Sequence, residues 1–109
     1  QIQRDVLDVH IDESLEEYIL KIVEATRNHP DILLGASPRA GLALVRSSQA
    51  LALLQGRDHV LPENIQRLVP SILAHRLLIA PEAELRGRTA LGIIQSVLAN
   101  TPLELGKLD

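Results

Sequence analysis

The sequence predicts an all-α fold, a helical bundle of about four main helices, and three observations support this prediction. Hydrophobic residues make up 46% of the chain and are almost entirely Leu, Ile, Val and Ala, of which Leu and Ala strongly favour helices. Apolar residues recur at the three-and-four spacing of a helix face in four separate segments. Pro, Gly and Asn separate these segments, as in bundles with short connections. The 109 residues fit one domain, with at most a very short extended segment near 77–79.

Residues 1–11 precede the first main helix and are predicted to be the tail of a helix followed by a linker. Val9, His10 and Ile11 alternate between apolar and polar, which is typical of a short extended segment. The first residue is Gln1 rather than Met, and the chain begins within a helix-like stretch. We therefore expect the chain to be part of a longer protein.

The first main helix is predicted to begin at Asp12, a suitable N-cap, with Ser14 and Glu17 as a competing capping box. It is expected to end near Asn28, because the residue before Pro30 is pushed out of the helical region. One face carries the residues that are expected to be buried, which are Leu15, Tyr18, Ile19, Ile22, Val23 and Thr26.

Residues 30–35 are predicted to form a loop, in which Ile32, Leu33 and Leu34 dock onto the core and determine where the next helix begins. The second helix is predicted from Pro38 to about Gln55, followed by Gly56 as its C′ residue. Its apolar residues cover so wide an arc that we expect it to be the central, nearly surrounded element: Leu42, Ala43, Val45, Ala50, Leu51, Leu53 and Leu54.

The third helix is predicted to begin at Pro62, and Pro70 predicts either a kink or a division into two short helices. Residues 77–79 have the character of a short extended segment, and residues 82–87 of a charged connection. Thr89 is the predicted N-cap of a last helix that ends at about Leu98 and buries one face. Residues 101–109 are expected to be a loose tail. The face of the last helix that is expected to be buried consists of Leu91, Ile94, Val97 and Leu98.

The composition argues against several classes of function. The formal net charge is −3 and Tyr18 is the only aromatic residue, so neither a basic surface nor a stacking platform for nucleic acid is expected. The chain has no cysteine for disulfides or thiolate metal sites. No apolar run approaches the roughly 18 residues that a membrane span requires, and no signal peptide is recognisable. We therefore expect a cytoplasmic protein without membrane insertion.

The segment Gly35-Ala36-Ser37-Pro38-Arg39 places a cation at the start of the second helix. The Ser37 hydroxyl can accept a hydrogen bond from an early backbone N–H, and Pro38 suits the first helical position. Arg39 then lies in the first turn, where a cation opposes the helix dipole at a cost of about 0.3–1 kcal/mol. A bound phosphate or carboxylate would remove this conflict. Pairing with an acidic neighbour, or a position in water, is the alternative for Arg39.

The chain lacks the sequence motifs of a phosphate-binding loop, a dinucleotide fold, a serine hydrolase and a zinc protease. Arg86 and Arg88 flank Gly87 and could hold a phosphate or a partner's carboxylate; a solvated turn offset by Glu82 and Glu84 is the alternative. Those two glutamates are expected to be solvated rather than an acid/base pair. No metal site is expected, because the histidines lack the spacing of metal ligands and are predicted at surfaces or turns: His10, His29, His59 and His75.

Taken together, several segments in order along almost the whole chain strongly resemble the C-terminal lid domain of the MoxR family of AAA+ ATPases. One is the stretch 33–40 around Arg39, and the others are residues 50–54, residues 56–58, Val60, residues 62–65, residues 75–77 and residues 82–87. Leu61 departs from this pattern, since a threonine or serine usually caps the helix before Pro-Glu.

The resemblance implies a helical AAA+ lid over residues 1–109, in which Arg39 is the catalytic sensor-2 arginine. It implies that Ser37, Pro38 and Arg39 contact the phosphates of ATP, while Mg²⁺ is held by an AAA+ core domain that precedes the lid. No cofactor is expected to bind tightly to this segment alone. ATP hydrolysis would belong to the longer protein and not to this segment alone. The implied partners are that core domain, further copies in a ring, and von Willebrand A-domain proteins as possible partners in chaperone-like remodelling.

Two other classes of function are open at this point. A helical module could dock a protein partner without any nucleotide, through residues 32–34 or the last helix. A DNA-binding helical domain would require a steep salt dependence, and the acidic balance of the chain argues against it.

Overall fold

The computed structural model describes residues 5–103 and confirms the all-α prediction. The predictions for residues 1–4, and for residues 104–109 of the expected tail, fall outside the described residues. Within these described residues, five α-helices are accompanied by 3₁₀ turns at Val6–Asp8 and Ala74–Arg76 and by one two-stranded antiparallel sheet. In chain order the elements are α1 (Glu13–Arg27), β1 (Ile32–Leu34), α2 (Pro38–Leu54), α3 (Pro62–Leu73), β2 (Leu78–Ile79), α4 (Pro81–Leu85) and α5 (Ala90–Asn100).

The segment before α1 is a 3₁₀ turn rather than the end of an α-helix, followed by the extended segment that the alternation predicted. Val9 is buried, and its carbonyl accepts a hydrogen bond of 2.8 Å from the side chain of Gln49. The backbone of His10 bonds to Asp58 and Val60 in a short parallel bridge. This segment therefore contributes to the core instead of only leading into it.

Helix α1 matches its prediction in both its ends and its buried face. Asp12 caps the helix by accepting a hydrogen bond from the Ser14 backbone N–H at 3.0 Å, and Asn28 is the C-cap. The residues buried on this helix are the six that the spacing predicted: Leu15, Tyr18, Ile19, Ile22, Val23 and Thr26.

The segment predicted as a loop at 30–35 contains strand β1, which pairs with β2. Ile32 lies opposite Ile79 and is buried, whereas Leu33 and Leu34 are each 64% exposed. The expectation that all three aliphatic residues dock onto the core was wrong for two of them. The extended segment expected near 77–79 is confirmed by β2.

Helix α2 lies between α1 and α3, as a central element would, but it is not nearly surrounded. None of the seven apolar residues named for its burial is fully buried, and Leu42 and Leu54 are exposed. The buried stripe instead consists of small or differently spaced residues: Ala40, Leu44, Ser48, Gln49 and Ala52. Three of these five residues are small, so the distribution of large aliphatic residues did not reveal the buried stripe.

Helix α3 continues through Pro70 to Leu73 and is not divided into two helices. Leu61 provides no side-chain cap for this helix. The side chain of Asn64 reaches back instead and accepts a hydrogen bond of 2.7 Å from the Leu61 backbone N–H.

The predicted charged connection at 82–87 contains the short helix α4. Helix α5 is capped by Thr89 as expected, with a bond of 3.1 Å from the Gly92 N–H to the Thr89 hydroxyl. Its buried residues are Ile93, Ile94 and Val97, while Leu91 is 49% exposed. In the part of the chain from residue 5 to residue 103, no helix is long and apolar enough to cross a membrane.

Candidate functional site

The loop before α2 is held tightly against the end of α1. A Cβ atom at Gly35 would lie 2.6 Å from the Cα of Arg27 and 2.8 Å from its backbone nitrogen, so only glycine allows this approach. The buried Thr26 hydroxyl accepts a hydrogen bond of 3.0 Å from the Ala36 N–H and donates one of 2.7 Å to the Val23 carbonyl. These contacts determine where the chain enters α2.

Ser37 is the N-cap of α2 and Pro38 is its first residue, as predicted. The expected bond to the Ser37 hydroxyl is absent, so that part of the prediction was wrong: Ser37 makes no side-chain cap bond. The Ala40 N–H bonds instead to the Ser37 backbone carbonyl at 2.9 Å, which closes the first turn without the hydroxyl. Ser37, Pro38 and Arg39 are all exposed.

Arg39 lies in the first turn of α2, which contains no acidic residue. Among the described residues, no carboxylate forms an ion pair with the Arg39 guanidinium. The alternative that Arg39 pairs with an acidic neighbour therefore finds no support within residues 5–103. The unfavourable contact with the helix dipole is not offset by such a neighbour.

A groove opens in front of Arg39, and we call it the arginine groove. Residues 33–39 form one part of its wall, and Arg27 and Arg76 form the rest, around a volume of about 500 Å³. Small-molecule sites in proteins typically measure roughly 300–1,000 Å³. The groove is therefore large enough for more than a single phosphate or carboxylate group.

Arg27 and Arg76 were not identified from the sequence. Arg27 is the last residue of α1, and Arg76 ends the 3₁₀ turn that precedes β2. Pairing of β1 with β2 joins the Arg76 segment to the segment that leads into α2 and Arg39. No local pattern signals this arrangement, because it depends on strand pairing between segments more than 40 residues apart.

The three arginines of the groove are exposed, and no ion pair is found for any of them within the described residues. Like charges that share one groove repel each other, so the groove favours an anion. Its residues include no acid that would neutralise it from within.

Arg86 and Arg88 have a different environment from the one expected. Both bind the carboxylate of Asp31, which is 8% exposed, with distances of 3.1 Å from Arg86 Nη2 to Oδ1 and 3.1 Å from Arg88 Nη1 to Oδ2. Their acidic partner is thus Asp31, and not Glu82 and Glu84 as in the predicted turn. Together with a backbone bond of 2.9 Å from Ala80 N to the Asp31 carbonyl, these ion pairs connect both ends of α4 to the residue before β1.

The other candidate groups are not brought together. The four histidines are exposed or half-buried, and His29 accepts a hydrogen bond of 3.0 Å from the Asp31 N–H through Nδ1. Over residues 5–103, no group of three or more His, Asp or Glu side chains is arranged to hold a metal ion.

The chain is similar to one known protein family and to several known proteins. The model of the AAA lid domain family matches residues 24–97. The YeaC protein of Bacillus subtilis is 45% identical over 90% of this chain and 31% of its own length. The chaperone MoxR1 of Mycobacterium tuberculosis is 30% identical over 76% of this chain and 24% of its own length.

A solved structure shows a similar fold. The chain of a Cytophaga hutchinsonii protein assigned as an ATPase superimposes with a TM-score of 0.86 and 38% identity over 91% of this chain. This chain covers 33% of that protein. The chain thus spans about a quarter to a third of the length of the three proteins compared.

Proposed function

Because this chain belongs to the AAA lid domain family, as a lid of the MoxR type of AAA+ ATPase, we propose that it contributes Arg39 to ATP binding and hydrolysis. The observation that supports this proposal best is the position of Arg39, exposed in the first turn of α2 beside a groove without carboxylates. Arg39 has the role of the sensor-2 arginine, and Ser37 and Pro38 lie beside the bound phosphates. The remaining ATP contacts and Mg²⁺ belong to the AAA+ core of the longer ATPase.

The proposed mechanism is a shift in the position of the lid. The Arg39 guanidinium donates charge-assisted hydrogen bonds to the γ-phosphate of ATP. After hydrolysis that phosphate leaves, and the lid loses one of its links to the core. The size of the resulting population shift is limited by the difference in contact between the two nucleotide states. The loop before α2 is held against α1 through Gly35 and Thr26. This attachment supports transmission of the shift from Arg39 to the whole lid.

The test is the substitution Arg39→Ala in the longer ATPase. We expect ATP turnover to fall by roughly tenfold or more, because a charge-assisted contact to the reacting phosphate is lost. Arg39→Lys should retain part of the activity, since it keeps the charge but not the planar fork. Arg67→Ala is the matched control, as Arg67 is an exposed helical arginine outside the groove. Unchanged turnover and unchanged nucleotide affinity in Arg39→Ala would contradict the proposal.

The proposed function includes chaperone-like remodelling of protein complexes. In this proposal a ring of such ATPases acts in the cytoplasm, and its partners include von Willebrand A-domain proteins. The name of the relative MoxR1, a chaperone, supports this extension. Size-exclusion chromatography of the longer protein with and without ATP tests the ring. A monomer under both conditions would contradict it.

A second candidate function is a protein-docking module that needs no nucleotide. Exposed leucines on the two-stranded sheet favour it, since Leu33, Leu34 and Leu78 are 64%, 64% and 53% exposed. Recovery of bound partners with and without ATP separates the two functions. Binding that is equal under both conditions, and that is lost in Leu33→Ser, would support the docking module.

A further inference from the structure

We propose that Arg27 and Arg76 are two further phosphate-binding residues, which act with Arg39 to bind the polyphosphate of a nucleotide in the arginine groove. This inference rests on the proposed function, and it goes beyond a single phosphate contact by one arginine. It identifies the ligand of the groove as a polyanion with several phosphate groups.

The arginine groove brings together three arginines from three separate elements, which are the end of α1, the first turn of α2 and the 3₁₀ turn before β2. All three residues line the same groove of about 500 Å³. A linear polyphosphate presents anionic oxygens along its length, so it can meet cations from several sides, whereas one carboxylate meets one or two.

The charges around the groove also favour a polyanion. The C-terminus of α1 favours a cation such as Arg27 without any ligand, but the first turn of α2 disfavours Arg39. Repulsion among the three arginines adds to that cost, and no carboxylate among residues 5–103 pairs with any of them. Asp31, the acid of the preceding loop, is already occupied by Arg86 and Arg88. A polyanion supplies the missing negative charge.

The experiment measures binding of inorganic tripolyphosphate and of orthophosphate to the 109-residue chain at low ionic strength, by calorimetry and by the arginine Nε–H signals in NMR. We expect saturable binding of tripolyphosphate, tighter than that of orthophosphate. Arg27→Gln and Arg76→Gln should each weaken tripolyphosphate binding by roughly threefold to tenfold. The Lys variants at the same positions should recover part of that loss, and added salt should weaken binding of the wild-type chain.

The matched control is Arg67→Gln, which removes one exposed helical arginine outside the groove and lowers the net charge equally. We expect it to change tripolyphosphate binding by less than about twofold, through the long-range field alone. Thermal unfolding of each variant establishes that the fold is retained, as expected for exposed side chains. Loss of binding in Arg67→Gln equal to that in Arg27→Gln and Arg76→Gln would overturn the proposal, and so would absence of saturable binding by the wild-type chain.

A second measurement in the longer ATPase separates this inference from the proposed function. Arg27→Gln and Arg76→Gln should raise the KM for ATP by roughly threefold to tenfold, with a smaller effect on kcat, if both bind substrate and transition state alike. Normal kinetics in these variants together with a defective Arg39→Ala enzyme would overturn the inference and leave the proposed function standing. Normal turnover in Arg39→Ala with a raised KM in the other two would contradict the proposed role of Arg39 while supporting Arg27 and Arg76.

Discussion

The position of the loop before α2, and so of Arg39, depends most directly on Gly35. Its backbone lies so close to the last turn of α1 that an added methyl group would meet backbone atoms, which cannot move aside as a side chain can. The requirement for glycine at this position is one of close approach, since Gly35 is not among the glycines with positive φ.

Substitution of Gly35 by alanine tests this close approach. We expect Gly35→Ala to lower the free energy of unfolding by about 1–3 kcal/mol, because the loop or the end of α1 must shift to remove the overlap. Nucleotide affinity of the longer ATPase should fall as well, since Arg39 moves with the loop. Urea denaturation and nucleotide titration are the measurements.

Gly41→Ala is the matched control for this substitution. A Cβ at Gly41 would lie 3.6 Å from Val23 Cγ2, an ordinary van der Waals distance. Because alanine is the better helix former, we expect Gly41→Ala to be neutral or to stabilise the protein by up to about 1 kcal/mol. Equal destabilisation by the two alanines would show that close approach at Gly35 is not the cause.

Thr26 connects the same loop to α1 through a buried hydroxyl. We expect Thr26→Val to cost about 1–3 kcal/mol of stability, because the shape is kept while the Ala36 N–H loses its partner. Thr26→Ser keeps the hydroxyl and should retain the hydrogen bond, as slow exchange of the Ala36 amide hydrogen would show. Fast exchange in wild type, or unchanged stability in Thr26→Val, would contradict this role.

At the scale of the element, the N-cap of α1 predicts a pH dependence of stability. The pKa of Asp12 lies below its ordinary value of 3.8, because its carboxylate accepts two hydrogen bonds from Ser14. The bond from the Ser14 side chain has the larger effect, and the bond from the Ser14 backbone N–H has the smaller. A lowered folded-state pKa means that the cap stabilises the protein above the unfolded-state pKa and that this contribution is lost as pH falls through the folded-state pKa.

Asp12→Asn tests the cap without removing it, since asparagine is an equally good N-cap that does not titrate. We expect the thermal midpoint of wild type to fall more steeply than that of Asp12→Asn as the solution is acidified below the ordinary pKa of Asp12. Asp12→Ala should have a lower midpoint at neutral pH as well. If the thermal midpoints of wild type and Asp12→Asn fell equally with pH, the pH dependence could not be assigned to Asp12.

The elements differ in how far they could be predicted, for a physical reason. Helix α1 has a clear cap and one apolar face, so local propensity and burial agree, and its prediction was confirmed residue by residue. Helix α2 is apolar on several sides, so periodicity could not select the stripe that faces α1 and α3. Strand β1 has three residues, and only its partner β2, far along the chain, makes it a strand.

At the scale of the whole molecule, Asp31 holds together segments that are distant in sequence. We expect Asp31→Ala to destabilise the chain by about 1–2 kcal/mol in urea denaturation, because it removes two partly exposed ion pairs, one of which includes a hydrogen bond from Arg86. Arg86→Ala or Arg88→Ala alone should cost less, since the other arginine still binds the carboxylate. If Arg86→Ala or Arg88→Ala alone lowered the stability as much as Asp31→Ala does, the two arginines would not share the carboxylate in this way.

Membership in the AAA lid domain family is consistent with how the molecule distributes its charges. Asp31 forms ion pairs with both Arg86 and Arg88, whereas no carboxylate among residues 5–103 pairs with the arginines of the groove. The sequence could not distinguish these two sets of arginines, because every member lies in a turn or at a helix end. The two environments differ because the fold brings one acidic side chain to Arg86 and Arg88.

The sequence by itself determined the helical class, the burial of α1, the cap residues at Asp12 and Thr89 and the placement of Arg39 in the first turn of α2. These features depend on neighbouring residues and on helix periodicity, which are local. Only the tertiary structure decided that Arg27 and Arg76 share a groove with Arg39 and that Asp31 forms ion pairs with Arg86 and Arg88. Contacts of this kind join segments far apart in the chain, and strand pairing and close backbone packing, rather than local propensity, bring them together.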